Sequence, residues 1–368
     1  MANRAGLCNF VSMIIQMNYK GQTTESRVIS FLRFPLVLLV LFAYCDFGSF
    51  SQSFAAQTIT AGIADFISKT IAPVCFNAFF FISGMLLFHE DKFNKDIYFG
   101  KLKSRCRSLL VTYIAWNALL LLMLFLTKDI TGKPFSFGTS IADIVTTTDN
   151  PLWVIRDLIL LSILSPVVYL AIKYYSKMHI YVQTGLLMPL FYCIDKSGWW
   201  PQWLATPAVF FAIGAYFSIN HIDICKVFRR MDVAFLMSVI VAFYYGYANT
   251  AYLLMIFLAF CWLGKKAEQG KLPTETMFER ASFFIFAYQC IPLGLIVYLV
   301  KCGILVFNSE IIALACYIGS PVVIAIIGVF LYSIIDCFLP HLSDILNGDR
   351  LGRTANPKHG RKKLDKPI

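Results

Sequence analysis

Apolar runs broken by short polar stretches recur along nearly the whole chain. They lie near residues 28–48, 70–88, 108–127, 152–172, 180–194, 203–219, 232–248, 250–264, 281–301 and 310–335. Roughly 20 apolar residues in a helix cross about 30 Å of hydrocarbon. The pattern therefore predicts an all-α polytopic membrane protein of about ten transmembrane helices. The seventh and eighth runs are separated only by Ala248, Asn249 and Thr250. No soluble domain and no internal repeat stands out. The chain is expected to divide into a cytoplasmic lead-in at 1–27, a transmembrane domain at 28–338 and a basic, poorly ordered tail at 339–368. The apolar piece around Phe10 to Met17 is too short for a span and lacks a small-residue cleavage site, so no signal peptide is read. Translation starting at Met17 is compatible with this pattern.

Composition agrees. The 368 residues are 58% hydrophobic and 14% charged, with mean hydropathy +0.68, which excludes an ordinary soluble domain. The chain carries 34 Phe, 18 Tyr and 6 Trp, as expected of helices that face lipid and anchor at interfaces. A net charge of +11 raises the question of nucleic acid, but loop charge that orients spans explains it better. Both termini placed inside put 26 Lys and Arg on the inner side and six on the outer, accounting for all 32. The six outer cations are Lys69, Lys128, Lys133, Lys196, Lys301 and Arg156. Both termini are therefore expected in the cytoplasm. The eleven cysteines are scattered, with no C-x-x-C pair; they read as small apolar fillers, and no metal site is expected.

The first span, VISFLRFPLVLLVLFAYCDFG, carries a cation, Arg33, and no further charge until Asp46. A guanidinium within a span either snorkels to the near interface or marks function. Arg33 and Tyr44 are eleven residues apart. At about 100° per residue they share a helix face, separated by roughly 16 Å along the axis.

Three further stretches stand out: FFFISG at 79–84 with the basic segment KLKSRCRSLLVTYIAWN at 101–117, PLWVIRDLILLSILSPVVY at 151–169, and ASFFIFAYQCIPL at 281–293. Together with the first span, their order and spacing resemble the acyltransferase 3 family of integral membrane O-acyltransferases over about residues 26–345. The FFFISG and PLW-x-x-RDL stretches are the most specific matches. The resemblance implies transfer of an acyl group, often acetyl, from cytoplasmic acyl-CoA to a hydroxyl of a surface polysaccharide or glycolipid. It also implies a multi-pass protein of the inner membrane, with the bilayer, the donor and the glycan acceptor as its partners and no nucleic acid.

Within that resemblance, Arg33, Lys101, Lys103, Arg105 and Arg107 are expected to hold the polyanionic donor; ordinary positive-inside charge is the alternative for the loop members. Arg156 and Asp157 either anchor an interface, pair with other helices or bind the acceptor. Phe79 to Phe81 are read as packing, while Ser83 and Gly84 permit close helix approach.

Two positions depart from the family pattern. Its first-span signature is a basic residue, ten spacers and a histidine that serves as general base; here Tyr44 stands in the histidine position. Many relatives place a histidine after the aromatic of the ninth span, where this chain has Gln289 after Tyr288. A phenol with an ordinary pKa near 10 is a poor base at neutral pH. Three readings follow: an altered base, Asp157 or Tyr44; a slower enzyme resting on positioning and a hydroxyl relay, with Arg33, Tyr44, Arg156, Asp157 and Gln289 as candidates; or a non-catalytic member that binds or exports a glycan or lipid. A transporter or flippase is the rival of a different class, although no inverted repeat supports it.

Overall fold

The computed structural model describes residues 24–45, 59–88, 102–103, 108–122, 125, 152–196, 202–273, 277–301 and 309–347. Among the described residues the regular structure is helical, with no strand. In chain order the helices are α1 (Thr24–Tyr44), α2 (Ile59–Asp65), α3 (Val74–Leu87), α4 (Ser108–Leu122), α5 (Trp153–Tyr175), α6 (Ile180–Lys196) and α7 (Gln202–Ile219). Then follow α8 (Ile224–Val227), α9 (Asp232–Tyr244), α10 (Ala248–Glu268), α11 (Met277–Tyr288), α12 (Cys290–Lys301), α13 (Glu310–Phe338) and α14 (Pro340–Asn347). A π-helical segment, Phe66–Ile71, joins α2 towards α3.

Five segments are long and apolar enough to cross a membrane: Thr24–Tyr44, Thr60–Leu87, Trp153–Tyr175, Ala248–Glu268 and Glu310–Phe338. Ser108–Leu122, Leu204–Ile219 and Asp232–Tyr244 are shorter apolar helices. The outward faces of α5, α9 and α13 expose Val167, Leu170, Val233, Ile240, Ile326 and Phe330. Such faces suit lipid rather than water.

The tightest joint lies between α3 and α7. A Cβ added to Gly84 would stand 2.0 Å from the carbonyl oxygen of Phe211, and one added to Gly214 would stand 2.0 Å from that of Phe81. Each helix thus lays its backbone on the other's glycine, as small residues allow when no solvent drives helices together. The expected role of Gly84 holds; its partner Gly214 was not singled out from sequence. Phe80 and Phe81 are fully buried beside this joint, and Phe81 packs edge-on against Phe257 and Phe260 of α10.

The order of contacts fixes the helix directions. Tyr44, at the end of α1, meets Phe76 near the start of α3, while Arg27, near the start of α1, donates to the carbonyl of Ala267 at the end of α10. Phe34 meets Phe278 at the beginning of α11 with ring centroids 5.0 Å apart. Further along, Phe286 meets Phe79 at 5.8 Å. Thus α11 runs with α1, and α3 and α10 run against it. Charge collects at the end where α1 begins: the Glu25 carboxylate accepts the Ile224 N–H at 2.8 Å, with Lys265–Asp232 and Arg229–Glu268 ion pairs nearby.

Several sequence expectations change in detail. The first helix is already formed at Thr24, the first described residue and four residues before the expected 28. The seventh and eighth runs are distinct helices, but the turn is Tyr245–Tyr247, with Gly246 at φ 72°. That left-handed conformation suits a glycine. The ninth run is interrupted at Gln289, between α11 and α12. Pro292 lacks the N–H that would bond the carbonyl of Tyr288, so the helix breaks one turn before the proline. The tail does not lose structure at 339, because Pro340–Asn347 is helical. The carbonyls of Ile345 and Leu346 accept the Thr112 hydroxyl and the Trp116 indole N–H, both at 3.1 Å.

Candidate functional site

The W-x-x-R-D spacing in α5 has a direct structural meaning. Residues three and four apart on a helix are neighbours on one face, so Arg156 and Asp157 lie one turn along from Trp153. Trp153 itself sits among Phe76 and Phe80 of α3, with ring centroids 5.5 and 5.9 Å away. Its indole N–H donates to the phenolic oxygen of Tyr44 at 2.8 Å. The first span and the PLW-x-x-RDL stretch, separated by more than a hundred residues, thus meet through one hydrogen bond. Tyr44 is half-buried, its ring edge-on to Phe76 at 5.8 Å. Because its oxygen accepts from Trp153, its proton is directed elsewhere.

Asp157 is fully buried. The Arg156 Nε donates to its Oδ1 at 2.9 Å, with the arginine side chain 15% exposed. The other oxygen, Oδ2, has no hydrogen-bond partner among the described residues. Tyr113 of α4 lies near enough for its phenol to feel both members of the pair. A buried carboxylate with one oxygen held and one open is unusual, since buried polar atoms nearly always find partners.

Gln289 is also fully buried, and neither side-chain oxygen nor nitrogen has a partner among the described residues. Its depth follows from the contacts above. Phe79 lies three residues past Phe76 on α3, and Gln289 three residues past Phe286 on the oppositely directed α11. The two offsets, roughly 4.5 Å each, cancel, bringing Gln289 to about the depth of Tyr44. The helix break caused by Pro292 therefore falls at this level.

Arg33 is exposed, whereas Val37 and Val40, on the same helical stripe, are 2% and 0% exposed. The stripe runs into the bundle at Tyr44 and opens at Arg33. The structure thus joins Tyr44 to the Trp153–Arg156–Asp157 turn, sets Gln289 level with them and leaves Arg33 on the open part of the stripe. Of the expected donor-binding cations, Lys103 is exposed; Lys101, Arg105 and Arg107 lie outside the described residues.

Sequence reasoning assigned no role to Trp153 or Tyr113. The signal for Trp153 was its four-residue spacing to Asp157; Tyr113 gave none, because its nearness to the charged pair arises only from helix packing.

A helical bundle with five segments long and apolar enough to cross a membrane, and with polar side chains buried where α1, α3 and α5 meet, has the character of a membrane protein. Residues 18–332 match the model of the acyltransferase 3 family, described as an acyltransferase domain. The chain belongs to that family. No curated protein and no solved structure matches it.

Proposed function

We propose that this protein is a membrane O-acyltransferase that moves an acyl group, acetyl by preference, from acyl-CoA to a hydroxyl of a surface polysaccharide or glycolipid. The reading includes ten spans in the inner membrane with both termini in the cytoplasm. Family membership supports the reaction class. The observation that carries the rest is the hydrogen-bonded Tyr44–Trp153 contact above a buried Asp157 whose Oδ2 is open.

In this reading the acceptor hydroxyl oxygen attacks the thioester carbonyl carbon. Asp157 Oδ2 takes the hydroxyl proton, with Arg156 holding the other carboxylate oxygen. Tyr44, its oxygen already occupied by Trp153, donates its proton as a hydrogen bond to the developing oxyanion, a contact that strengthens as charge forms. The C–S bond then breaks, and the proton passes from Asp157 to the CoA sulfur. Gln289 offers an acceptor and two donors at the same depth for a sugar hydroxyl. Arg33, with the loop cations, holds phosphates at the donor end.

The decisive test is transfer of labelled acetyl from acetyl-CoA to glycan in membranes, for wild type, Asp157→Asn and Tyr44→Phe. Transfer by wild type and its loss in Asp157→Asn are expected. A second reading has its own support: both family histidine positions are filled by groups that are poor bases, Tyr44 and Gln289. A binding or exporting member would show no transfer but would move labelled glycan or lipid across vesicles.

A further inference from the structure

Apart from the buried site, the charged end of the bundle carries a cleft of about 550 Å³ lined by Arg229, Arg230, Lys265, Glu268 and Gln269. It forms where the turn between α8 and α9 faces the last turn of α10. We propose that this cleft is a binding site for a phosphate-bearing ligand.

Two of its cations are held in place by carboxylates. Lys265 Nζ lies 2.9 Å from Asp232 Oδ2, and an Arg229 terminal nitrogen lies 3.3 Å from Glu268 Oε2. Each contact fixes the cation without exhausting its donors, since a guanidinium has five N–H groups and an ammonium three. Arg230 has no carboxylate partner among the described residues and is exposed. With Asp232 counted beside Glu268, three cations face two carboxylates, and the one positive charge left over, that of Arg230, favours an anion. The planar arginine fork suits tetrahedral phosphate oxygens in particular. The volume is in the range of small-molecule sites. Beside the cleft, Lys266 places its ammonium 3.6 Å from the centre of the Trp262 ring, and that half-exposed indole would anchor at an interface.

The nucleotide end of CoA and the headgroup of an anionic phospholipid share this chemistry, and two experimental arms separate them. In the first, purified full-length protein in neutral detergent is titrated with adenosine 3′,5′-bisphosphate. In the second, protein in nanodiscs of phosphatidylglycerol or phosphatidylcholine is tested for retained lipid by native mass spectrometry. Arg230→Ala is the chosen variant because the residue is exposed and supports no described packing. It is expected to weaken binding about tenfold, the loss of one charge-assisted contact, in whichever arm holds the ligand, with an unchanged melting temperature in ligand-free detergent. Dependence in the first arm assigns a nucleotide; dependence in the second alone assigns a lipid. If Arg230→Ala, and Arg229→Ala with Lys265→Ala as a second variant, leave both arms at wild-type affinity, there is no phosphate site here. That result would leave acyl transfer, measured separately in membranes, untouched.

Discussion

The indole N–H of Trp153 donates to the phenolic oxygen of Tyr44 at 2.8 Å, tying the end of α1 to the start of α5. If this bond positions a reacting group, the two residues act as a unit. Tyr44→Phe and Trp153→Phe should each lower acyl transfer by about 10²-fold, and the double variant by little more. In denaturant unfolding the pair should show a coupling of about 1 kcal/mol. Tyr44→His, which restores the family's usual residue, should retain or raise transfer. Multiplicative losses would make the two residues independent.

A second expectation rests on backbone contact. Gly84→Ala or Gly214→Ala drives a methyl onto a carbonyl oxygen 2.0 Å away. Because the obstacle is backbone, relief requires α3 and α7 to separate, at a cost of about 3 kcal/mol or more. Folded yield by fluorescence-detected size exclusion should collapse for both. Gly185→Ala is the control, since nothing lies within 4 Å of its added Cβ.

The contrast shows what was legible in the chain. Apolar run length marked most helices, and Gly84 was readable as a point of close approach, because both are local properties. Gly214 was not, since a glycine acquires this role only from the helix laid across it. The break at Gln289 could have been read from Pro292. The helix at 340–347 was missed because its eight residues sit at the edge of a basic tail. Arg33, Tyr44, Asp157 and Gln289 were visible as polar groups in apolar surroundings; the Tyr44–Trp153 bond joining two of the motifs was not, because it depends on how α1, α3 and α5 pack.

Cys225, in the short α8 outside the spanning helices, provides a pH test. Burial, reinforced by the nearby Glu25 and Asp223 carboxylates, pushes its thiol up to about 12. Since the thiolate is the nucleophile, only roughly 10⁻⁴ of it is reactive at pH 8. Maleimide at pH 8 should label exposed Cys337 and spare Cys225 until the protein unfolds, as read by peptide mass spectrometry. The stabilisation follows the raised value: the folded state keeps a proton that the unfolded chain loses near pH 9. It is full below pH 9 and is lost as pH rises from about 9 to 12. Rapid labelling of Cys225 in folded protein would contradict the buried placement.

Arg156 and Asp157 separate folding from chemistry. Removing the arginine alone leaves a fully buried carboxylate without its counter-charge, which typically costs about 3–5 kcal/mol. Arg156→Ala should therefore lower folded yield. Asp157→Asn keeps the shape and leaves the partly exposed arginine, so it should fold while transfer drops by about 10²–10⁴-fold. The double variant Arg156→Met, Asp157→Asn removes both charges at similar volume and should recover the folded yield that Arg156→Ala loses. If that double variant folds and still transfers acetyl at the wild-type rate, the pair is purely structural and the proton acceptor lies elsewhere. If it folds and binds acetyl-CoA but transfers nothing, and Asp157→Asn alone does the same, the open Oδ2 of Asp157 is the group that the reaction requires.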